Sequence, residues 1–183
     1  MLRRILCTLA LGLLPVLATT YRSVSVADAV QGRAEAGYVM VSGRFLAFGS
    51  YQGLVRGVIA GARFALPIEG QVFDYRPQPG AFLEVWGELE RGPDGWRLRF
   101  HNARPPGEAR GPRPVGRPRP GEVLRVWLRV YSTGGVAARA VGRSEDGRSF
   151  YLRNYTGGPG VRCLVGRLLE ADVFEVAETC PDE

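Results

Sequence analysis

Residues 124–131 read LRVWLRVY, an unbroken alternation of apolar side chains with arginines and aromatics. In an extended strand successive side chains point to opposite faces, so Leu124, Val126, Leu128 and Val130 line one face. Arg125, Trp127, Arg129 and Tyr131 line the other. The period of two recurs along the chain. It runs through YVMVSGRFLAFGS, LVRGVIAGARFALPIEG and AFLEVWGELERGPDGWRLRFHNA, then through VLRVWLRVYSTGG, AARAVGRSEDGRSFYLRN and GVRCLVGRLLEADVFEVAETC. Each run is bounded by glycine-bearing turns and helical periodicity is scarce, so the pattern predicts an all-β protein.

The strand-like runs fall into two similar sets of about five. VWGELERGPDGWRLRF aligns with LVGRLLEADVFEV, which sets Gly87 opposite Gly166 and points to a duplication. Between the sets lies RPPGEARGPRPVGRPRPGE, dense in proline, glycine and arginine, which predicts an extended linker at 104–122 that stays out of any core. The expected organisation is a signal segment at 1–18, a first domain with an entry segment at 19–103, the linker, and a second domain at 123–183. Five short strands with a long first strand and a final hairpin resemble the OB-fold, and V-x-G-x-L recurs as VWGEL and LVGRL in the fourth-strand position of both sets. The entry SVADAVQGRAEAGYVMVSGRF resembles that of exported bacterial OB-type domains. The resemblance implies two five-stranded, OB-like antiparallel barrels in tandem that bind oligonucleotides, oligosaccharides or proteins. It does not choose among those ligands.

Compartment follows from the N-terminus and the cysteines. Arg3 and Arg4 precede an apolar run from Ile5 to Ala18 that is too short to span a bilayer and ends in Val16-Leu17-Ala18, a small-residue spacing suited to signal peptidase. This predicts export to the periplasm or beyond. With Ala171-Asp172 as a hairpin turn, Glu170 faces Val173 and Cys163 falls across from Cys180, in a non-hydrogen-bonded position by simple counting. Two thiols so placed in an oxidising compartment predict a disulfide.

Charge sharpens the picture only locally. Of the formal charge of +6, Arg3 and Arg4 belong to the signal segment, and residues 104–120 hold five arginines against Glu108 alone. The remainder is nearly balanced. Every basic residue is arginine.

Catalytic and metal chemistry find little support. His101 is the only histidine and reads as a surface residue at a strand end; no lysine-bearing phosphate loop exists, and no cofactor or metal site is indicated. Glu84, Trp86, Glu88 and Glu90 share one strand face, which lines a surface rather than a glycosidase cleft. The stronger feature is the second face of 124–131, which Arg139 and Arg143 extend on the next strand and Tyr151, Arg153 and Tyr155 on the third. Arranged as one contiguous patch, these residues suit a protein contact or the acidic counterpart Glu84, Trp86 and Glu88 of the first domain. They also suit single-stranded nucleic acid, as in a periplasmic DNA binder serving uptake, or an acidic polysaccharide. The reading is therefore a non-enzymatic binding or assembly module of a bacterial envelope, with a single-stranded DNA-binding protein as the alternative.

Overall fold

The computed structural model of the chain describes residues 20–51, 54–71, 73–108, 115, 117–132 and 140–180. The expected signal segment and the centre of the expected linker lie outside these residues. Among the described residues, no helix is long and apolar enough to cross a membrane.

The first barrel is built from β2 (Gly37–Tyr51), β3 (Leu54–Ala60), β4 (Ala65–Gln71), β5 (Phe82–Gly92) and β6 (Gly95–Arg104). Neighbours run β2-β3-β4-β6-β5, and β5 closes back onto β2. A two-residue strand β1 (Arg22–Ser23) pairs in parallel with β2, and the short helix α1 (Val26–Val30) is capped by the Ser25 hydroxyl accepting from the Asp28 N–H. α1 places Val26 and Ala29 in the first core, alongside Phe45, Ile59, Leu83, Leu98 and Phe100.

The second barrel consists of β7 (Val123–Ser132), β8 (Ala140–Ser144), β9 (Ser149–Arg153), β10 (Gly160–Glu170) and β11 (Val173–Thr179). It closes in the order β10-β11-β9-β8-β7. The aliphatic face of 124–131 enters its core as expected, with Val126, Leu128 and Val130 packed near Phe150, Leu164 and Phe174. Both barrels follow one topology, in which the fifth strand inserts between the third and fourth. The third and fifth strands therefore run parallel, β4 with β6 and β9 with β11, so the barrels are mixed rather than purely antiparallel.

VWGEL and LVGRL do occupy the fourth strand of their barrels, β5 and β10. At each of their glycines the fifth strand crosses so closely that a Cβ would overlap its backbone, Arg99 O at Gly87 and Glu175 O at Gly166. Each crossing carries a β-bulge. The register steps from Trp86↔Asn102 to Gly87↔Phe100, leaving His101 as the extra residue, and from Val165↔Glu178 to Gly166↔Val176, leaving Ala177 extra. Such bulges sharpen strand bending where a small barrel must close.

The linker reading needs one correction. Val115, its one branched aliphatic residue, packs against the second core, and its N–H donates to Asp146 Oδ2. Further on, Gly121 N–H donates to Leu168 O and Leu168 N–H to Glu122 O, so these residues lie along β10.

Cys163 and Cys180 stand at disulfide distance with a Cα–Cα separation of 5.3 Å. The expected turn is present, with Glu170 opposite Val173. The pair is hydrogen-bonded, however, because Cys180 N–H donates to Cys163 O. Leu169 and Ala177 are extra residues on opposite strands. Together they restore the residue pairing while removing one rung of the ladder, which flips the hydrogen-bond phase that simple counting assigns.

Candidate functional site

On β7 the second face alternates outward as the sequence implies, but its members meet different surroundings. Arg125 is exposed and Trp127 is 40% exposed, with Cys163 of β10 directly across from Trp127. Two and four residues further along, Arg129 and Tyr131 are partly buried. Arg129 Nη1 donates to Phe73 O of the first barrel at 2.8 Å, and its guanidinium lies 5.9 Å from the Tyr131 ring centroid. Burial raises the Tyr131 phenol above its usual range. On β8, Arg143 pairs with Arg129 and reaches Gln71 Oε1 at the end of β4. Its burial against the first barrel, more than any neighbouring charge, pulls its pKa down.

The third strand faces outward again. Tyr151 is 50% exposed, Arg153 is exposed and lies across from Glu175, and Tyr155 is half-buried with its hydroxyl donating to Gly158 O. Arg139 lies outside the described residues. Register separates Trp127 from Tyr151. Tyr131, Val141 and Tyr151 form one cross-strand row and Arg129, Arg143 and Ser149 the next. Trp127 is a further row away, placing it on the order of 15 Å from Tyr151. First-barrel backbone at Phe73 lies against the row between them.

The acidic strand of the first barrel is committed elsewhere. Glu88 ion-pairs with Arg99 and Glu90 with Arg97, both on adjacent β6. The Glu88 contact raises the Arg99 pKa. Glu84 stands across from Arg104. Trp86 is only 2% exposed, lies 5.7 Å from the Arg104 guanidinium, and its indole N–H has no hydrogen-bond partner among the described residues.

A different set of side chains joins the barrels. Glu145 and Asp146, in the β8–β9 turn, are almost fully buried at 1% and 2% exposure. Glu145 Oε1 accepts from Asn102 Nδ2 at 3.0 Å and from Arg104 Nη2 at 3.2 Å. Asn102 and Arg104 also donate to Asp74, in the β4–β5 connection. Asp146 accepts from the Ser144 hydroxyl. Gly147 completes the turn at φ +85°, where a side chain would be strained and would run into the His101 ring.

His101 is therefore not a surface residue. The β6 bulge turns it outward from its own barrel, and the second barrel's turn then covers it to 4% exposure. Its Nδ1 lies 3.2 Å from the Tyr21 hydroxyl, and the Tyr21 and Tyr38 rings pack around it. Burial, reinforced by the charges of Arg143 and Arg99, lowers its pKa to about 3, so it is neutral at physiological pH. The same burial, with Asp146 nearby, raises the Tyr21 phenol. An aromatic flank around the lone histidine and two acids beside a turn glycine were the available sequence signals for this contact. Neither carries a period, and their partners are about 40 residues away.

Among the described residues, no group of three or more histidine, cysteine or acidic side chains could hold a metal ion. The polar groups that join the barrels are paired and buried. The chain matches no protein-family model and no curated protein.

Proposed function

We propose that this protein is a non-enzymatic binding and assembly module of an exported, oxidising compartment. In this reading the basic-aromatic face of the second barrel serves two contacts. Arg129, Tyr131 and Arg143 seat the first barrel, and Val123, Arg125 and Trp127 form a patch for a partner protein. The observation that carries the reading is this split along a single strand. Arg129 donates to first-barrel backbone, while Val123 remains 62% exposed and Trp127 40%. An exposed tryptophan flanked by arginine and an aliphatic side chain has the composition of a protein-interface hot spot. Export is supported by the Arg-led apolar N-terminus and by the cysteine pair at disulfide distance.

Trp127→Ala tests the reading when unfolding and binding are measured on the same protein. The expected outcome is a melting temperature changed by no more than about 2 °C, because the side chain lies outside the core. Neither wild type nor variant should bind a fluorescent 20-nucleotide oligothymidylate at about 0.15 M salt. A native-host envelope protein crosslinked to wild type should be lost in the variant. Tight oligothymidylate binding by wild type, weakening with salt and with Trp127→Ala, would overturn this reading in favour of a single-stranded DNA-binding protein.

A further inference from the structure

The first barrel carries a second feature, independent of the face just discussed. Its long strand β2 outruns its neighbour. From Gly37 to Arg44, β2 pairs with β5, and the pairing closes with Phe45 N–H donating to Ala81 O and Gly80 N–H to Phe45 O. Beyond that point β2 continues to Tyr51, paired with β3 alone. Among the described residues, no strand pairs with Leu46–Tyr51 on the side where β5 ends. By the two-residue period of a strand, Ala47 presents the next N–H and C=O in the direction that Phe45 uses for β5.

A groove of about 490 Å³ runs beside this open edge, between β2 and the segment Arg76–Pro79. Its floor is the apolar mouth of the barrel, Phe45, Ala47, Val55 and Pro77. At the rim stands Phe48, the extra residue of a β-bulge, between Ala47↔Gly57 and Gly49↔Arg56. It is 75% exposed, the highest value among the large hydrophobic side chains of the described residues. Among the described residues that line the groove, Arg76 is the only charged one, and it too is exposed.

We propose that this groove binds an extended peptide segment of a partner protein, which adds to the open edge of β2 as a strand. A strand edge offers alternating donors and acceptors at the spacing of another backbone, which a polypeptide complements and a row of phosphates does not. Apolar side chains at alternate positions of the peptide enter the floor between Phe45 and Val55. Phe48 covers them from the rim. An acidic residue meets Arg76, which gives the segment its charge preference.

The test begins with a phage-displayed library of random nonamers selected on the whole protein, with Phe48→Asp protein used to remove peptides that bind elsewhere. The enriched peptides are expected to alternate apolar residues and to carry at least one acid. A synthetic copy should lose about tenfold or more in affinity when alternate backbone amides are N-methylated, which removes its donors. Arg76→Glu should weaken that peptide and favour a version with lysine in place of its acid. Phe48 and Arg76 are both exposed, so neither variant threatens the fold. No enrichment, binding unaffected by N-methylation, or equal binding to wild type and both variants would each overturn the proposal. So would displacement of the peptide by oligothymidylate.

Discussion

The two barrels share a topology and a bulge yet use the same place differently. Aligned at Gly87 and Gly166, the bulged residue is His101 in the first barrel and Ala177 in the second. Three residues further along, the cross-strand pair is Glu84 and Arg104 in the first and Cys163 and Cys180 in the second. His101 is buried beneath the β8–β9 turn of the other barrel, whereas Ala177 is exposed. Arg104 lies over Trp86 of its own hairpin and also ion-pairs with Asp74 and, in the second barrel, Glu145. One backbone device thus serves association in the first barrel and closure of the final hairpin in the second. What differs is the side chain at the bulge and at the pair beyond it. Between two barrels of one topology, side chains at these positions decide which becomes a docking surface.

The largest perturbations should strike what the barrels share. Gly87→Ala and Gly166→Ala each push a Cβ into fifth-strand backbone, so each should cost roughly 4 kcal/mol or more. Hydrogen exchange should show the loss concentrated in the mutated barrel. Equal loss of protection in both would mean that they fold as one cooperative unit, breaking the comparison.

Acid should come next, and through His101 it acts on the association of the barrels. The folded-state pKa of His101, about 3, lies below its unfolded value of about 6.5, so the unfolded chain binds the proton first. The stability from its neutral burial is complete above pH 6.5 and is lost as pH falls toward 3, a total of roughly 4 kcal/mol. In His101→Gln this part of the pH dependence should vanish from denaturant midpoints measured between pH 7 and pH 4. An unchanged slope would show that the histidine is not buried by the second barrel in solution.

Reduction should act on the other barrel. Opening the Cys163–Cys180 link, 17 residues apart in sequence, should cost about 3 kcal/mol in the loop-entropy account. The Cys163→Ser, Cys180→Ser double variant should match the reduced wild type in denaturant melts, with β5 and β6 keeping their exchange protection. The smallest effect belongs to Arg129→Ala. Losing its bond to Phe73 O should cost about 1–2 kcal/mol, and small-angle scattering should record looser docking of otherwise intact barrels. An unchanged scattering profile would assign the docking to the remaining contacts, those of Glu145 and of Arg143 with Gln71.

Much of the fold was legible because it depends on short-range pattern. The alternation in LRVWLRVY decides which residues of β7 enter the core, and Val126, Leu128 and Val130 do. VWGEL and LVGRL marked the fourth strands because glycine is required where another backbone crosses. The hairpin turn that brings Cys163 to Cys180 was also local. Its hydrogen-bond phase was not, since bulges at Leu169 and Ala177 answer to barrel curvature, which a one-dimensional count omits.

The sequence by itself determined the strands, their inward faces, the two-barrel repeat and the cysteine pairing, because a period of two and a glycine at a crossing act over a few residues. Only the tertiary structure decided what happens to the outward faces. Arg129 and Trp127 look equivalent in an alternating strand, yet one meets first-barrel backbone and the other remains partly exposed. His101 reads as a surface residue but is buried beneath the second barrel, whose turn residues Glu145 and Asp146 are buried with it. An outward position can be wet or covered according to the placement of a second body, and that placement comes from contacts such as Arg104–Glu145 and Arg143–Gln71, 41 and 72 residues apart in sequence, which no local pattern encodes.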